Sequence, residues 1–337
     1  MPGVIGLDVG GVNTKAVWRD GDALRTVLRP YDVVRDRGAL TAVVRDVVAE
    51  LTGEPAELTA LTMTAELSDE FRTKREGVGF VLDAVEAAVP GRVLVFTTAG
   101  ELVGVAEARA RPLEVAAANW VASALAVAAL HPDALMLDVG STTADVIPIA
   151  AGRVAAAGRT DLDRLLAGEL VYTGALRTDL AAIAPRVPVR GRWCPVGSER
   201  FAISADVHLI LGHVAPEAYT CPTPDGRPPT VEYARERVAR LVCADVEQLG
   251  PGEVETIAAH LHAEQVSQIE AAARQVGMRF AGATPVVPLG VGAFLAHAAA
   301  ERLGRPVVEM PWSPAQRDAA PAAALADLAA ARLAPSW

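Results

Sequence analysis

The chain has 337 residues, a length that suggests two domains, and a net charge of −10 from 31 basic and 41 acidic residues. With no chain-wide basic field to attract a phosphate backbone, nucleic-acid binding is not expected. Hydrophobic residues make up 51% of the chain, but they are mostly Ala, Val and Leu scattered among charges, with no apolar run near ~18 residues. The opening MPGVIGLDVGG has no basic leader, so neither a membrane-spanning nor a secreted protein is expected. Cys194, Cys221 and Cys243 are odd in number and form no CxxC, which argues against a disulfide framework and fits a cytoplasmic setting.

In chain order, VIGLDV (4–9), TKAVWR (14–19) and ALRTVL (23–28) read as a three-stranded antiparallel meander with a tight RDGD turn at 19–22. Its first turn, Gly10 to Thr14, is rich in residues that tolerate positive φ and expose backbone N–H groups. Helical spacing over 38–51, a strand over 58–64, a helix over about 76–89 and a buried strand over 93–98 follow. The Ala-rich stretch 113–130 reads as one long buried helix. Residues 134–156 then repeat the opening grammar: an apolar strand ending Asp138-Val139-Gly140, a small polar turn, a second strand, a Gly turn and a third strand. The two copies lie 130 residues apart, which implies two like domains rather than a solenoid. We therefore expect domains at 1–132 and 133–337, the second with a loop-rich insertion at about 158–230. Helices at about 231–249 and 253–276, a strand and turn at 284–294, a helix at 293–303 and an outer Ala/Leu helix at 315–333 complete the chain.

A strand that ends in Asp before a Gly, Ser, Thr or Asn turn sets a carboxylate beside a row of donors. Such donors wrap phosphate oxygens, and the carboxylate can hold Mg²⁺ through water. One turn of this kind is ordinary; two matched turns, with a late PLGVG turn before a helix, point to a polyphosphate gripped from two sides. The only lysines are Lys15 and Lys74 and the only asparagines Asn13 and Asn119, so one of each falls in the first turn. Coding bias explains the scarcity but not that coincidence.

LDVGGVNTK (7–15), LDVGSTTADV (137–146) and VVPLGVGAF (286–294) resemble the two phosphate motifs and the adenosine-side motif of the acetate and sugar kinase, Hsp70 and actin superfamily, with its hydantoinase/oxoprolinase-like branch closest. MTAELSD (63–69), KREGV (74–78), AAANW (116–120), GRTDLDRLLAGELVYTGALRT (158–178) and CADVEQLG (243–250) further resemble a small family tied to tetrahydromethanopterin-linked one-carbon metabolism: the methanofuran-biosynthesis synthases, which join aminomethylfuran-methyl diphosphate to γ-glutamyltyramine. The resemblance implies an α/β protein with duplicated ribonuclease-H-like domains of the actin, Hsp70 and sugar-kinase type around a central cleft. It implies a transferase in which a phenol displaces diphosphate from a furan methylene. The alternatives on the same motifs are an ATP-dependent kinase or hydrolase and a nucleotide-sensing interaction protein.

On this resemblance Asp8 and Asp138 hold Mg²⁺ through water, and Lys15 places a charge on the diphosphate. Gly10, Gly11, Asn13, Thr14, Gly140, Ser141, Thr142 and Thr143 supply donors. For each of these, plain turn geometry is the ordinary reading beside the functional one. Glu66 and Asp69, at the carboxyl edge of a strand, are candidates to take the phenol proton or hold an amine, or are helix-start acids. Lys74 and Arg75 either bind a glutamyl carboxylate or are solvated. Asn119, beside Trp120, is a polar contact near the cleft or a satisfied core residue. Asp161, Glu169, Tyr172 and Arg177 are candidates for substrate recognition, and Gly290 and Gly292 line the third motif's pocket. Cys194, His208, His213 and Cys221 suit zinc by type, but their spacings of 14, 5 and 8 are not those of a standard finger. The partners implied are the two small-molecule substrates, with no nucleic acid or membrane and a homo-oligomer left open.

Overall fold

The computed structural model describes residues 3–52, 54–280 and 284–333. The chain divides into two compact units, Met1–Ala134 with Ile149–Asp163 and Met310–Trp337, and Leu135–Pro148 with Arg164–Glu309. Compared with the expected division between 132 and 133, residues 149–163 and the tail group with the first unit.

The first unit opens with β1 (Val4–Val9), β2 (Asn13–Asp20) and β3 (Ala23–Pro30), the antiparallel meander read from the sequence. Helix α1 (Leu40–Leu51), β4 (Leu58–Met63), α2 (Lys74–Ala88), β5 (Arg92–Phe96) and a short antiparallel edge strand β6 (Leu102–Gly104) follow. The sheet runs β3-β2-β1-β4-β5-β6, with β4 parallel to β1 and β5 parallel to β4. This is the ribonuclease-H-like order. Every residue of β1 is buried. Ile5, Leu7 and Val9 pack into one core with Val44, Val47, Val78 and Val81 of α1 and α2, each such side chain contributing roughly 1.5–3 kcal/mol.

The stretch expected as one helix over 113–130 breaks. After α3 (Val105–Ala110) come α4 (Pro112–Val115) and α5 (Asn119–Leu130), and between the last two Ala117 sits at φ 48°. A residue with a Cβ in left-handed backbone cannot continue a helix.

The second sheet runs β10-β8-β7-β13, from β7 (Ala134–Val139), β8 (Ala144–Ala150), β10 (Leu170–Val171) and, much later, β13 (Val286–Leu289), with β9 (Arg153–Val154) and α6 (Asp161–Ala167) between β8 and β10 where the chain passes through the first unit. The third strand expected of the repeat is split. The two-residue β9 pairs with the end of β8, and β10 pairs with its beginning. β13 is parallel to β7, and a fifth strand survives as one parallel bridge, Val286 to Val307. The duplication is thus a full copy and a reduced one.

The insertion is more ordered than its composition suggests. It holds α7 (Leu180–Ile183), a hairpin of β11 (Arg186–Val189) and β12 (Arg192–Pro195), and α8 (Ser204–Ile210). Next come α9 (Val231–Arg240) and α10 (Val246–Gly277), the latter opened by an Asp245 and Gln248 capping box and kinked at Gly250, φ 72°, before Pro251. α11 (Ala293–Leu303) packs on α10 and β13.

The tail departs most from expectation. After α12 (Pro314–Asp318), α13 (Ala320–Leu333) lies on β1, β2 and β4 with Ala320 to Ala326 all buried, rather than on the outside. A Cβ on Gly6 would stand 1.9 Å from Ala322 O, so only glycine in β1 admits this approach. A sheet with parallel central strands needs both faces covered, and α13 covers the second. Among the described residues no helix is long and apolar enough to cross a membrane.

Candidate functional site

In the first unit, Asp8 is second to last in β1, paired with Lys15 of β2 on one side and Thr62 of β4 on the other, so the three stand on one sheet face. The turn between β1 and β2 is closed by Gly10 N–H donating to Asn13 O at 2.9 Å and anchored by Thr64 N–H donating to Val9 O at 2.9 Å. A Cβ on Gly10 would meet Asn13 O at 2.7 Å. Asp8 is 6% exposed, and its Oδ1 has no hydrogen-bond partner, nor have the hydroxyls of Thr14 and Thr62. Burial pushes the Asp8 carboxyl up to about 6, against the downward pull of Lys15. Lys15 also acts electrostatically on Asp318 at the end of α12. On the Asp8 face, a buried carboxylate oxygen beside the unpaired Thr62 hydroxyl and a lysine is a polar group without an internal solution, while Thr14, paired with Val9, stands on the opposite face.

Next to the turn, residues 65–67 form one 3₁₀ turn after β4 that carries Glu66. Glu66 is 2% exposed; its Oε1 accepts the Ala117 N–H at 2.8 Å, while Oε2 has no partner. Burial pushes this carboxyl up to about 8, although the backbone hydrogen bonds and Lys74 pull it down. A Cβ on Gly77 would stand 2.6 Å from Glu66 Cα, so KREGV needs its glycine for α2 to close over the acid. Lys74 Nζ pairs with Asp161 Oδ2 at 3.0 Å, and both charges act on Glu66. Four separate sequence blocks therefore meet: MTAELSD, KREGV, AAANW and the start of the GRTD block. Asp69 is exposed beyond the 3₁₀ turn, Arg75 is exposed on α2, and Asn119 opens α5 two residues after Ala117.

In the second unit the turn 140–143 is closed by Gly140 N–H donating to Thr143 O at 2.8 Å. The segment 172–178 wraps it: the N–H groups of Ala175, Leu176 and Arg177 donate to Gly140 O, Ser141 O and Ser141 O at 2.9, 3.0 and 2.9 Å. A Cβ on Gly174 would meet the Thr142 backbone at 2.5 Å. Gly290, at φ 81°, leaves room beside Asp138: a Cβ there would stand 2.6 Å from Asp138 Oδ1 and 2.4 Å from Val139 O. Gly292 N–H donates to Val139 O at 2.8 Å. The second and third motifs and the YTGALRT segment thus form one structure around Asp138, which is 9% exposed. Tyr172 is exposed at its edge.

The GRTD block does not act as one. Asp161 joins Lys74 in the first unit, Asp145 and Arg164 form a buried ion pair in the second, and Glu169, fully buried, pairs with Arg279 at 2.5 Å. Glu169 is thereby tied into the architecture. Sequence reading missed the supporting layer behind the second turn. Gln265 Nε2 donates to Thr173 Oγ1 at 2.8 Å and Gly174 O at 3.0 Å, and Gln265 Oε1 bonds His208 Nε2 at 2.9 Å. Nothing in the helical pattern around Gln265 marks it apart from a polar residue at a buried position.

His208, His213 and His262 cluster around Phe294, with ring centroids 4.7 to 5.9 Å apart among the histidines. Burial holds His208 down at about 3 and His262 at about 4, so they are neutral near pH 7. Among the described residues no group of three or more His, Cys, Asp or Glu side chains is placed to hold a metal. The Cys194, His208, His213 and Cys221 set therefore forms no such group: Cys221 instead has its Sγ 3.6 Å from Leu176 O, and its thiol is pushed up to about 11 by burial. Hydrated Mg²⁺, which needs only one or two carboxylates, fits what is present: one acid per turn, with Asp8 Oδ1 unpartnered.

These features coincide with sequence relatives. A synthase of Methanocaldococcus jannaschii, named for forming (4-{4-[2-(γ-L-glutamylamino)ethyl]phenoxymethyl}furan-2-yl)methanamine, is 36% identical over 290 residues, 86% of this chain and 86% of the relative. A synthase of the same name from Methanococcus vannielii is 33% identical over 163 residues, 48% of this chain and 72% of that one. Residues 57–332 match the hydantoinase/oxoprolinase family model. The chain belongs to this synthase family. Among solved structures, nucleotide-free acetone carboxylase superposes with a TM-score of 0.56 at 12% identity, covering 96% of this chain and 70% of that one, a likeness of fold alone. This member of the synthase family thus carries the duplicated ribonuclease-H-like fold, with MTAELSD, KREGV and AAANW meeting around Glu66 in the first unit and YTGALRT closing around Asp138 in the second.

Proposed function

We propose that the protein makes an aryl ether in methanofuran biosynthesis by alkyl transfer. The phenol oxygen of γ-glutamyltyramine attacks the methylene carbon of an aminomethylfuran-methyl diphosphate. The new C–O bond forms as the methylene-to-phosphate C–O bond breaks, the electron pair leaves with diphosphate, and the phenol proton passes to Glu66. The product for which the relatives are named, a phenoxymethyl link between a furan methanamine and a γ-glutamylaminoethyl chain, supports this bond. The observation that carries the reading is Glu66 Oε2, a buried and unpartnered carboxylate oxygen beside the Asp8 turn.

Glu66, pushed up to about 8, lies closer to a phenol near ~10 than an ordinary carboxylate does, which suits a base that must also release its proton. Lys15 and the donors of Gly10, Gly11, Asn13 and Thr14 are assigned to phosphate oxygens, as are those of Gly140 to Thr143 in the second unit. Magnesium, when bound, would neutralise the leaving diphosphate; Asp8 is the side chain of the first unit assigned to hold it through water, and Asp138 the one of the second. Arg177 and Tyr172, with Gly290 and Gly292 beside Asp138, are assigned to substrate binding in the second unit, and Asn119 to substrate binding in the first. The furfuryl carbon delocalises positive charge, so positioning matters more than nucleophile strength. The setting we assign is the cytoplasm.

The test is incubation of the pure protein with both substrates and Mg²⁺, read by mass spectrometry. The ether is expected. Absence of ether with both substrates present, or ATP consumption driven by a small acceptor instead, contradicts the reading.

A further inference from the structure

Lys74 and Asp161 lie 87 residues apart and form a part-buried ion pair whose two charges act on Glu66, and neither is used by the reaction just described. The pair has three properties of a ligand site. First, Asp161 already holds a primary ammonium, that of Lys74 at 3.0 Å, with the lysine side chain 35% exposed and on a flexible stem. Second, the neighbouring Glu66 Oε2 is buried with no partner. Third, Lys74 and Asp161 both act electrostatically on Glu66, the lysine favouring its ionised form and the aspartate opposing it, so the three form one group.

We propose that Asp161 binds the primary ammonium of the aminomethylfuran donor and that Lys74 Nζ occupies this place when no substrate is bound. This rests on the alkyl-transfer reading and names the part of the donor that the site grips. The γ-glutamyl acceptor also carries a primary ammonium, but at the far end of a phenyl ring, an ethyl and a glutamyl chain from the reacting oxygen. The donor's ammonium is one ring's width from the reacting carbon, which suits an acid that, with its Lys74 partner, already acts electrostatically on Glu66. An added cation also favours ionised Glu66, the form that takes a proton.

The experiment compares donors and acceptors by kcat/KM for ether formation. The wild-type protein is expected to prefer the aminomethyl donor over its methyl analogue by at least about tenfold, ~1.4 kcal/mol, and to distinguish γ-glutamyltyramine from N-glutaryltyramine much less. Asp161→Asn is expected to abolish the donor preference, and Lys74→Met, which removes the internal competitor, to enlarge it. Equal use of the two donors by the wild-type protein overturns the proposal while leaving alkyl transfer standing, and so does a preference carried by the acceptor's amine. A smaller preference in Lys74→Met overturns Lys74's place in it. Ether from neither donor contradicts the underlying reading instead.

Discussion

Ala117 donates its backbone N–H to Glu66 Oε1 at 2.8 Å across 51 residues of chain, from a non-glycine residue held at φ 48°. Left-handed backbone costs a residue with a Cβ roughly 1–2 kcal/mol, and here it turns an N–H into a pocket that orients one carboxylate. Glu66→Gln keeps an oxygen to accept that N–H but cannot take a proton. It is expected to lower kcat by about 100-fold or more with little change in donor KM, whereas Asp69→Asn, at an exposed site, leaves kcat within about twofold. Steady-state kinetics on the two variants checks this, and equal losses would remove Glu66 as base.

The same acid makes stability depend on pH. Its carboxyl is raised from 4.5 to about 8 by burial, so across that window the folded state keeps a proton that the unfolded chain has released. Stability therefore falls as pH rises through the window and has lost this contribution above the folded value. Glu66→Gln has no proton to lose. Its urea midpoint is expected to vary less than the wild-type midpoint between about pH 5 and pH 9, and to exceed it at the alkaline end. Parallel curves for the two proteins would contradict a buried, protonated Glu66.

Gly290 is expected to tolerate no side chain. Alanine there must adopt φ 81° and place a Cβ 2.6 Å from Asp138 Oδ1 and 2.4 Å from Val139 O. Gly290→Ala should destabilise the protein by about 2 kcal/mol or more and displace Asp138, whereas Gly304→Ala, also at positive φ but in open space, should cost only the backbone strain of about 1–2 kcal/mol. Chemical denaturation of both variants separates the two cases.

Asp8→Asn removes the charge but not the shape of a side chain whose Oδ1 has no internal partner. Turnover is expected to drop at least tenfold, about 1.4 kcal/mol of barrier, with less dependence on added Mg²⁺. An unchanged rate would take Asp8 out of the site.

The strands of both copies were legible because alternation and Asp-Val-Gly endings are local signals, and Glu66 was legible as an acid at a strand's carboxyl edge. Its partner was not: an alanine in left-handed backbone looks like any other alanine in an Ala-rich run, which is why 113–130 reads as one helix. The outer placement of α13 failed for a physical reason. A helix apolar on every side belongs in an interior, and the small Gly6 that receives it lies more than 300 residues earlier. The GRTD block reads as one recognition element, yet Asp161 goes to one unit while Glu169 and Arg177 go to the other. Periodicity carries no information about where a chain passes between units. Gln265 supports the YTGALRT segment through contacts 91 and 92 residues away, beyond any sequence window.

Alkyl transfer and phosphoryl transfer differ in which bond to the donor's bridging oxygen breaks, so the most direct measurement labels that oxygen with ¹⁸O. With γ-glutamyltyramine and Mg²⁺ present, the label is predicted to leave entirely in the diphosphate while unlabelled ether forms. Label retained on a furan methanol, with phosphate passed to an acceptor or to water, would contradict attack at carbon.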